Sequence, residues 1–567
     1  MDYMGHYEKW MNYPGLDEKT RSELAELGGD EEKIKDYFLA PLEFGTGGLR
    51  GVMRPGINSM NVYVVRQATQ AIANLIKSKG REYEKKGAAI AYDSRNSSAL
   101  FAREAAKTLA ANGVKVYIFD DIRPTPVLSF AIRHLGCAAG INITASHNPK
   151  QYNGYKAYWE DGGQFPPDHA ATVLAAINDT DIFSGVLTSC YDELAKRGLV
   201  ETIGEEIDQK YLDNVMGTSA RPDQAGDFKA VYTPLHGAGY RLVPQALGRM
   251  GFSNLLTVEA QMTPDGDFPT VEFPNPEFPE AFELGIKLAE AENCGLVIAT
   301  DPDSDRMGAA AKTKGGEFEV LTGNQIGALL LDYIIAAKKE GGTLKPNHCA
   351  VTTIVTTELA SKICEKNGVK LVKVLTGFKF IGEKIKEFEK GGELEFLFGY
   401  EESYGYLAGA YARDKDAVSA STLTVEMAAW YSRQGMTLFD ALQGLYEKYG
   451  YYSEAVSNIE FPGVDGTREM KGIMEALRQN PPAGIGGYKV SEVIDYDDEA
   501  KPTGLPKSDV LCFVLENGAK VIIRPSGTEP KIKIYYLLSA ENAGEAAAQT
   551  EKLKSAMEKF TQKNKKI

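Results

Sequence analysis

Ala138-Ala139-Gly140-Ile141-Asn142-Ile143 reads as a buried strand, and Thr144-Ala145-Ser146-His147-Asn148-Pro149 reads as the turn at its end. Upstream, Ala88-Ala89-Ile90-Ala91-Tyr92 is another strand. It is followed by a helix from Ala99 to Asn112, a strand from Val114 to Phe119 and a helix from Val127 to Leu135. This alternation predicts a mostly parallel sheet with helices on both faces. The same rhythm returns from Phe228 to Thr300 and again from Thr322 to Phe398, with no residue-level repeat between the units. A charged helical region precedes them. After Tyr452 the strand-like runs Val510 to Val514, Lys520 to Ile523 and Ile532 to Leu538 crowd together before a final helix, Ala543 to Phe560. The expected fold class is α/β: three tandem α/β domains with mostly parallel mixed sheets, plus a smaller C-terminal α+β domain, around a central cleft. The expected boundaries are 1–205, 206–321, 322–455 and 456–567.

Composition bounds the function. The chain has 567 residues, 43% hydrophobic and 25% charged, enough for several cores and roughly four domains. A net charge of −15 argues against broad binding of nucleic acid or of an anionic membrane, so any anion site must be a local basic cluster. No apolar run reaches membrane-spanning length, and Met1 to His6 lack the features of a signal peptide. The six cysteines are scattered without a C-x-x-C, which predicts free thiols in a reducing cytoplasm.

Ser146 sits on a turn at a strand end, expected to be exposed and rigidly held, where a nucleophile would be available. Taken alone, a serine before Asn-Pro is a turn residue. His147 does not make a Ser–His hydrolase, because adjacent side chains are expected to diverge and no G-x-S-x-G elbow is present.

A second loop carries different chemistry. Leu296-Val297-Ile298-Ala299 reads as a buried strand delivering Asp301-Pro302-Asp303-Ser304-Asp305-Arg306 at its carboxyl end, where open α/β sheets hold ligands. Carboxylates at alternate positions of an extended loop can converge as hard oxygen ligands for Mg²⁺. An EF-hand is excluded by Arg306 and Lys312 at its glycine and glutamate positions. A solvated acidic turn is the plain alternative.

Two further loops follow strand-like runs. Gly399-Tyr400-Glu401-Glu402-Ser403-Tyr404-Gly405 carries a carboxylate and a hydroxyl that can accept and donate hydrogen bonds, and taken alone it reads as an ordinary turn with a helix cap. Arg524-Pro525-Ser526-Gly527-Thr528-Glu529-Pro530-Lys531 joins Arg, Ser and Thr side chains to glycine N–H groups, a nest for phosphate. The glycines of Phe44 to Gly51 fail the G-x-G-x-x-G pattern at Arg50, and no P-loop occurs.

Together the four loops resemble the α-D-phosphohexomutases, in family order and over nearly the whole chain. T-A-S-H-N-P is similar to the phosphoserine loop, D-P-D-S-D-R to the metal loop, G-Y-E-E-S-Y-G to the sugar loop and R-P-S-G-T-E-P-K to the phosphate loop. Tyr400 and Tyr404 interrupt the shortest form of the sugar loop. Within the family the bacterial α-phosphoglucomutases look most similar, and an animal phosphopentomutase branch shares these features. The resemblance implies that Ser146 carries the phosphate and helps Asp301, Asp303 and Asp305 bind one Mg²⁺. It makes Arg50, Lys156 and Lys415 catalytic candidates. It assigns Glu401, Ser403, Lys379, Arg306, His147, Arg524, Ser526, Gly527, Thr528 and Lys531 to substrate. His236 reads as structural.

The implied reaction is the reversible isomerisation of α-D-glucose 1-phosphate and glucose 6-phosphate through glucose 1,6-bisphosphate, with no nucleotide consumed. Lys156 and Lys415 would exchange the protons if neighbouring cations lower their pKa. Phosphopentomutase or phosphomannomutase activity is the alternative on the same mechanism. A haloacid-dehalogenase-type phosphatase using Asp301 and a non-catalytic phosphosugar sensor are rivals. A small phosphosugar is the expected partner, without nucleic acid or membrane, and the expected location is cytoplasmic; the sequence does not fix the oligomeric state, with a monomer slightly favoured over an oligomer.

Overall fold

The computed structural model describes residues 2–44, 48–461, 466–526 and 531–564. It divides into two compact units. One comprises Met1–Lys312, Phe318–Val320 and Gly405–Trp430; the other comprises Thr313–Glu317, Leu321–Tyr404 and Tyr431–Ile567.

In the first unit, helices Tyr3–Met11, Glu18–Glu26 and Glu31–Phe38 precede an α/β layer. Strands β1 (Gly48–Val52), β2 (Ala88–Tyr92), β3 (Val116–Phe119), β4 (Ala139–Ile143), β5 (Tyr152–Trp159) and β6 (Val200–Ile203) form a sheet in the order β1-β5-β4-β2-β3-β6. β5 alone runs against the others. β4 is buried at every position, as a central strand covered on both faces must be. Helix Val62–Ser78 covers part of this layer, and its Asn61 cap accepts from the N–H groups of Tyr63 and Val64. Helix Thr125–Leu135 opens with Pro126 in its first turn and stops at Gly136, whose φ is +67°.

β5 is absent from the predicted elements. Its sequence, Y-N-G-Y-K-A-Y-W, mixes Asn153 and Lys156 with aromatics and lacks a continuous apolar run. A second sheet contains β7 (Ala230–Thr233), β8 (Leu255–Thr257), β9 (Leu296–Thr300), β10 (Met307–Lys312) and β11 (Phe318–Leu321), in the order β11-β10-β9-β7-β8. β7, β8 and β9 are parallel, whereas β9 and β10 form an antiparallel hairpin around the acidic loop.

In the second unit, β12 (His348–Thr353) lies between β13 (Lys370–Val374) and β14 (Glu395–Glu401), all parallel. β15 (Gly405–Ala408) already belongs to the first unit. The last sheet, β16 (Tyr451–Glu460), β17 (Gly484–Ile485), β18 (Tyr488–Asp495), β19 (Leu511–Leu515), β20 (Lys520–Pro525) and β21 (Lys531–Ala540), has the order β16-β21-β20-β19-β18-β17 and is antiparallel throughout. Helices Gly466–Gln479 and Ala543–Asn564 accompany it. Ile354, Val355 and Leu375 share one apolar cluster with Val510, Cys512 and Ile522, which packs this sheet onto the preceding α/β layer. Three α/β layers and a fourth, β-rich one match the expected fold class.

Candidate active site

Ser146 lies just past the carboxyl end of β4 with a φ of +53°, in the left-handed region. Its N–H donates to Thr144 Oγ1 at 2.8 Å. The buried guanidinium of Arg95 holds the turn from beneath. It donates to the carbonyls of Ser146 at 2.5 Å, Pro149 at 2.9 Å and Tyr152 at 3.1 Å, and also to that of Asn148. Asp93 is its ion-pair partner at 3.4 Å.

Two expectations for this loop require correction. The serine is not exposed but 2% accessible, because its hydroxyl donates to Asp301 Oδ2 at 2.7 Å. His147 does not diverge from it: Nδ1 lies 3.1 Å from Ser146 Oγ. The left-handed backbone at Ser146 turns the adjacent side chains toward each other. Burial, with Arg306 and Arg50 nearby, pushes the His147 imidazole well below its ordinary range, so the ring is neutral.

The acidic loop begins directly after β9. Asp301, Asp303 and Asp305 are fully buried, and one oxygen from each lies within 4.8 Å of the others. Asp301 Oδ1 accepts the N–H groups of Asp305 at 3.1 Å and Arg306 at 3.0 Å. Asp303 Oδ2 accepts from Lys156 Nζ and from Thr125 Oγ1, each at 2.7 Å. Asp305 Oδ2 takes Lys156 and Lys415, each at 2.9 Å. The Oδ1 atoms of Asp303 and Asp305 are buried without a hydrogen-bond partner. Buried unpartnered carboxylate oxygens beside a third carboxylate fit a hard cation, and a solvated acidic turn does not account for them.

Electrostatics agree. Burial, then Asp303 and Asp305, hold the Asp301 carboxyl well above the usual carboxylate range. For Asp305 burial acts the same way but is outweighed by Lys156, Lys415 and Arg306, so its carboxyl lies below that range. Burial lowers the Lys156 ammonium less than Asp303 and Asp305 raise it. Its pKa is therefore raised, the opposite of what a lysine base needs, and Lys156 stands here as a charged donor.

Lys415 is positioned by Asp414, whose Oδ1 accepts its Nζ at 3.2 Å and its N–H at 2.9 Å. The other oxygen of Asp414 accepts from Tyr158 at 2.8 Å and Gln164 at 3.1 Å. Arg306 pairs with Glu277 at 3.1 Å and lies 3.8 Å from Asp305 Oδ1. Arg50, on β1, donates to Asn148 Oδ1 at 3.0 Å. His236 is fixed between Thr263 O at 3.0 Å and Thr270 Oγ1 at 2.9 Å, a structural role. The N–H of Ala238, in the same loop, donates to Pro302 O at 2.8 Å and so steadies the acidic loop.

The remaining candidates belong to the second unit. Glu401 is buried at the end of β14 and Ser403 lies in the turn that follows. Lys379 sits at the start of helix Phe378–Gly391, where burial lowers its pKa. Arg524 lies on β20 opposite Lys533, and the N–H of Ser526 donates to Lys531 O at 2.8 Å. Gly527 and Thr528 lie outside the described residues. Thus Ser146, His147, the three aspartates, Lys156, Arg306, Arg50 and Lys415 fall in one unit, and Lys379, Glu401, Ser403, Arg524, Ser526 and Lys531 in the other. Sequence reasoning missed Arg95, Thr125 and Asp414. Arg95 follows a strand end, in Asp93-Ser94-Arg95-Asn96, and that position is the one signal that pointed to it.

Three consecutive family models, for α/β/α domains I, II and III of phosphoglucomutase/phosphomannomutase, match residues 41–182, 209–316 and 322–449. A phosphoglucomutase of Staphylococcus haemolyticus is 36% identical over 515 residues, covering 89% of this chain and 92% of that protein. Among solved structures, the exocytosis-sensitive phosphoprotein parafusin (a phosphoglucomutase) of Paramecium has a TM-score of 0.69 at 19% identity, over 92% of this chain and 94% of the other. A phosphoglucomutase/phosphomannomutase family protein of Burkholderia thailandensis gives 0.67 at 18% identity, over 91% and 97%.

Proposed function

Because this chain belongs to the phosphoglucomutase/phosphomannomutase family, we propose that it is a phosphoglucomutase, interconverting α-D-glucose 1-phosphate and glucose 6-phosphate through a phosphoserine at Ser146. The observation that carries this reading is the 2.7 Å hydrogen bond from Ser146 Oγ to Asp301, which seats the serine on the acidic triad. The 36% identity to a phosphoglucomutase over most of both chains supports the choice of glucose.

Asp301, Asp303 and Asp305 would hold one Mg²⁺, which supplies charge withdrawal from the phosphoryl group on Ser146. The unpartnered Oδ1 atoms support that assignment. The sugar hydroxyl attacks phosphorus and gives up its proton, the P–Oγ bond breaks, and Ser146 Oγ gains a proton as it leaves. His147, neutral and 3.1 Å away, would relay that proton, taking one at one ring nitrogen and giving one to Ser146 Oγ from Nδ1, and Lys156 would stabilise the departing charge as an ammonium. Arg50, Lys415 and Arg306 would add positive charge around the transferred group. Glu401, Ser403 and Lys379 would select the sugar, and Arg524, Ser526, Gly527, Thr528 and Lys531 the distal phosphate. Glucose 1,6-bisphosphate would be intermediate and activator. Among the described residues no helix is long and apolar enough to cross a membrane, which is consistent with the cytoplasmic location we propose.

The phosphatase alternative would make Asp301 the phosphorylated nucleophile and leaves unexplained why Ser146 Oγ is held against it at 2.7 Å. The test is a trapped phosphoenzyme. Incubation with glucose 1,6-bisphosphate and Mg²⁺ should label the Ser146 peptide with an acid-stable, hydroxylamine-resistant phosphate. Ser146→Ala should bind phosphosugar with nearly all turnover lost in a coupled glucose 1-phosphate assay. A hydroxylamine-labile label, or full activity in the variant, overturns the assignment.

A further inference from the structure

We infer that Thr125 is a positioning residue for the cation, setting which oxygen of Asp303 is presented to it, with Asn142 fixing the direction of the hydroxyl. The inference rests on the proposed metal role of the triad.

Thr125 is the first residue of helix Thr125–Leu135 and is fully buried. It binds Asp303 twice. Its N–H donates to the main-chain oxygen of Asp303 at 2.8 Å, and its hydroxyl donates to Oδ2 at 2.7 Å. The direction of the second bond is not free. Asn142, buried in the middle of β4, donates from Nδ2 to Thr125 Oγ1 at 2.7 Å. A hydroxyl has one proton to give, and with its lone pair engaged by an amide donor that proton goes to the carboxylate. Lys156 saturates the same oxygen from the other side at 2.7 Å. Oδ2 is thereby occupied by two donors, and Oδ1 is left buried without a partner.

The side-chain bonds of Asn142 and Thr125 belong neither to the β4 ladder nor to the helix's own hydrogen bonds. The Asn142 side chain is no part of the β4 ladder, and its own Oδ1 is buried without a partner. A buried amide and hydroxyl that end on a carboxylate are instead what holds a ligand in one rotamer, so that no ordering of the carboxylate is needed when a cation arrives.

The probe is Mn²⁺ alone, titrated into the full-length unphosphorylated protein and read by the electron paramagnetic resonance of the free ion. Thr125→Val removes the hydroxyl at nearly constant volume and should weaken Mn²⁺ binding about 10- to 100-fold, while Thr125→Ser, which keeps the donor, should remain near wild type. Turnover of Thr125→Val should recover at saturating Mn²⁺, a shift in cation requirement that a merely structural defect would not produce. Asp303→Asn is the control for the underlying reading. If Asp303→Asn keeps wild-type affinity, the triad is not the cation site and that reading fails with this one. If Asp303→Asn loses binding but Thr125→Val does not, the inference about Thr125 alone is overturned. Should the valine variant fail to melt cooperatively, Thr125→Ala is read by the same titration and the same criterion.

Discussion

The hydroxyl of Ser146 donates to Asp301 across 2.7 Å, so the turn after β4 and the turn after β9 meet through a side-chain hydrogen bond. A phosphorylated Ser146 has no proton to offer there and sets negative charge against three carboxylates. The bare triad is thus matched to the unmodified serine, and the phosphorylated form calls for a cation between them.

Arg95 should govern whether the serine turn forms at all. Arg95→Met leaves the carbonyls of Ser146, Asn148, Pro149 and Tyr152 without their donor and Asp93 as an uncompensated buried charge. A loss of about 3–5 kcal/mol in urea unfolding is expected, together with loss of phosphoenzyme formation. An unchanged midpoint with full labelling would rule out this role.

His147→Gln tests proton return to Ser146 Oγ. Glutamine keeps a polar group in reach of the serine but has no titrating nitrogen. Turnover should fall about 10²- to 10⁴-fold with little change in KM. A fall confined to KM would make His147 a binding residue only.

Gly237→Ala probes the acidic loop from outside. A Cβ there would stand 2.5 Å from Pro302 Cα and 2.7 Å from Pro302 O, backbone atoms that cannot swing aside. The variant should lose about 1–3 kcal/mol of stability through overpacking. Calorimetric titration should also show weaker Mg²⁺ binding, since Pro302 sits between two of the three aspartates.

Glu454, on β16, should make the second unit pH-sensitive. Burial, with the charge of Glu358, pushes its carboxyl up to about 7 against a hydrogen bond from Thr357 that lowers it. The folded pKa lies above the unfolded one, so the folded chain binds more protons and stability falls as pH rises from about 4.5 to 7. Glu454→Gln should remove that slope. It should match wild type near pH 5 and exceed it at pH 8 by at most about 3 kcal/mol. Parallel stability curves for the two proteins across that interval would refute the assignment.

What could be read in advance followed from local pattern. β2 and the strand before Ser146 were visible as short continuous apolar runs, and the alternate spacing of Asp301, Asp303 and Asp305 already implied convergence. β5 was missed because Asn153 and Lys156 interrupt its apolar pattern, although Lys156 must be there to reach Asp303. His147 was misjudged because the φ of Ser146 is a property of the folded turn and is not encoded in residue type. Arg95 and Thr125 act on partners far away in sequence, through hydrogen bonds that no local spacing announces, and Asp414, which holds the adjacent Lys415, is itself held by the distant Tyr158 and Gln164.

The segment Gly405–Trp430 belongs with the first unit although chain of the second unit precedes and follows it. It brings Asp414 to Tyr158, Asp416 to Tyr211, and Glu426 to the N–H groups of Ala220 and Arg221. A growing polypeptide cannot make any of these bonds until it has been translated through this stretch. The aspartate cluster therefore waits for Lys415 long after its own residues have left the ribosome. Nascent chains halted before that point would carry an incomplete centre, with Asp305 lacking one of its two ammonium partners.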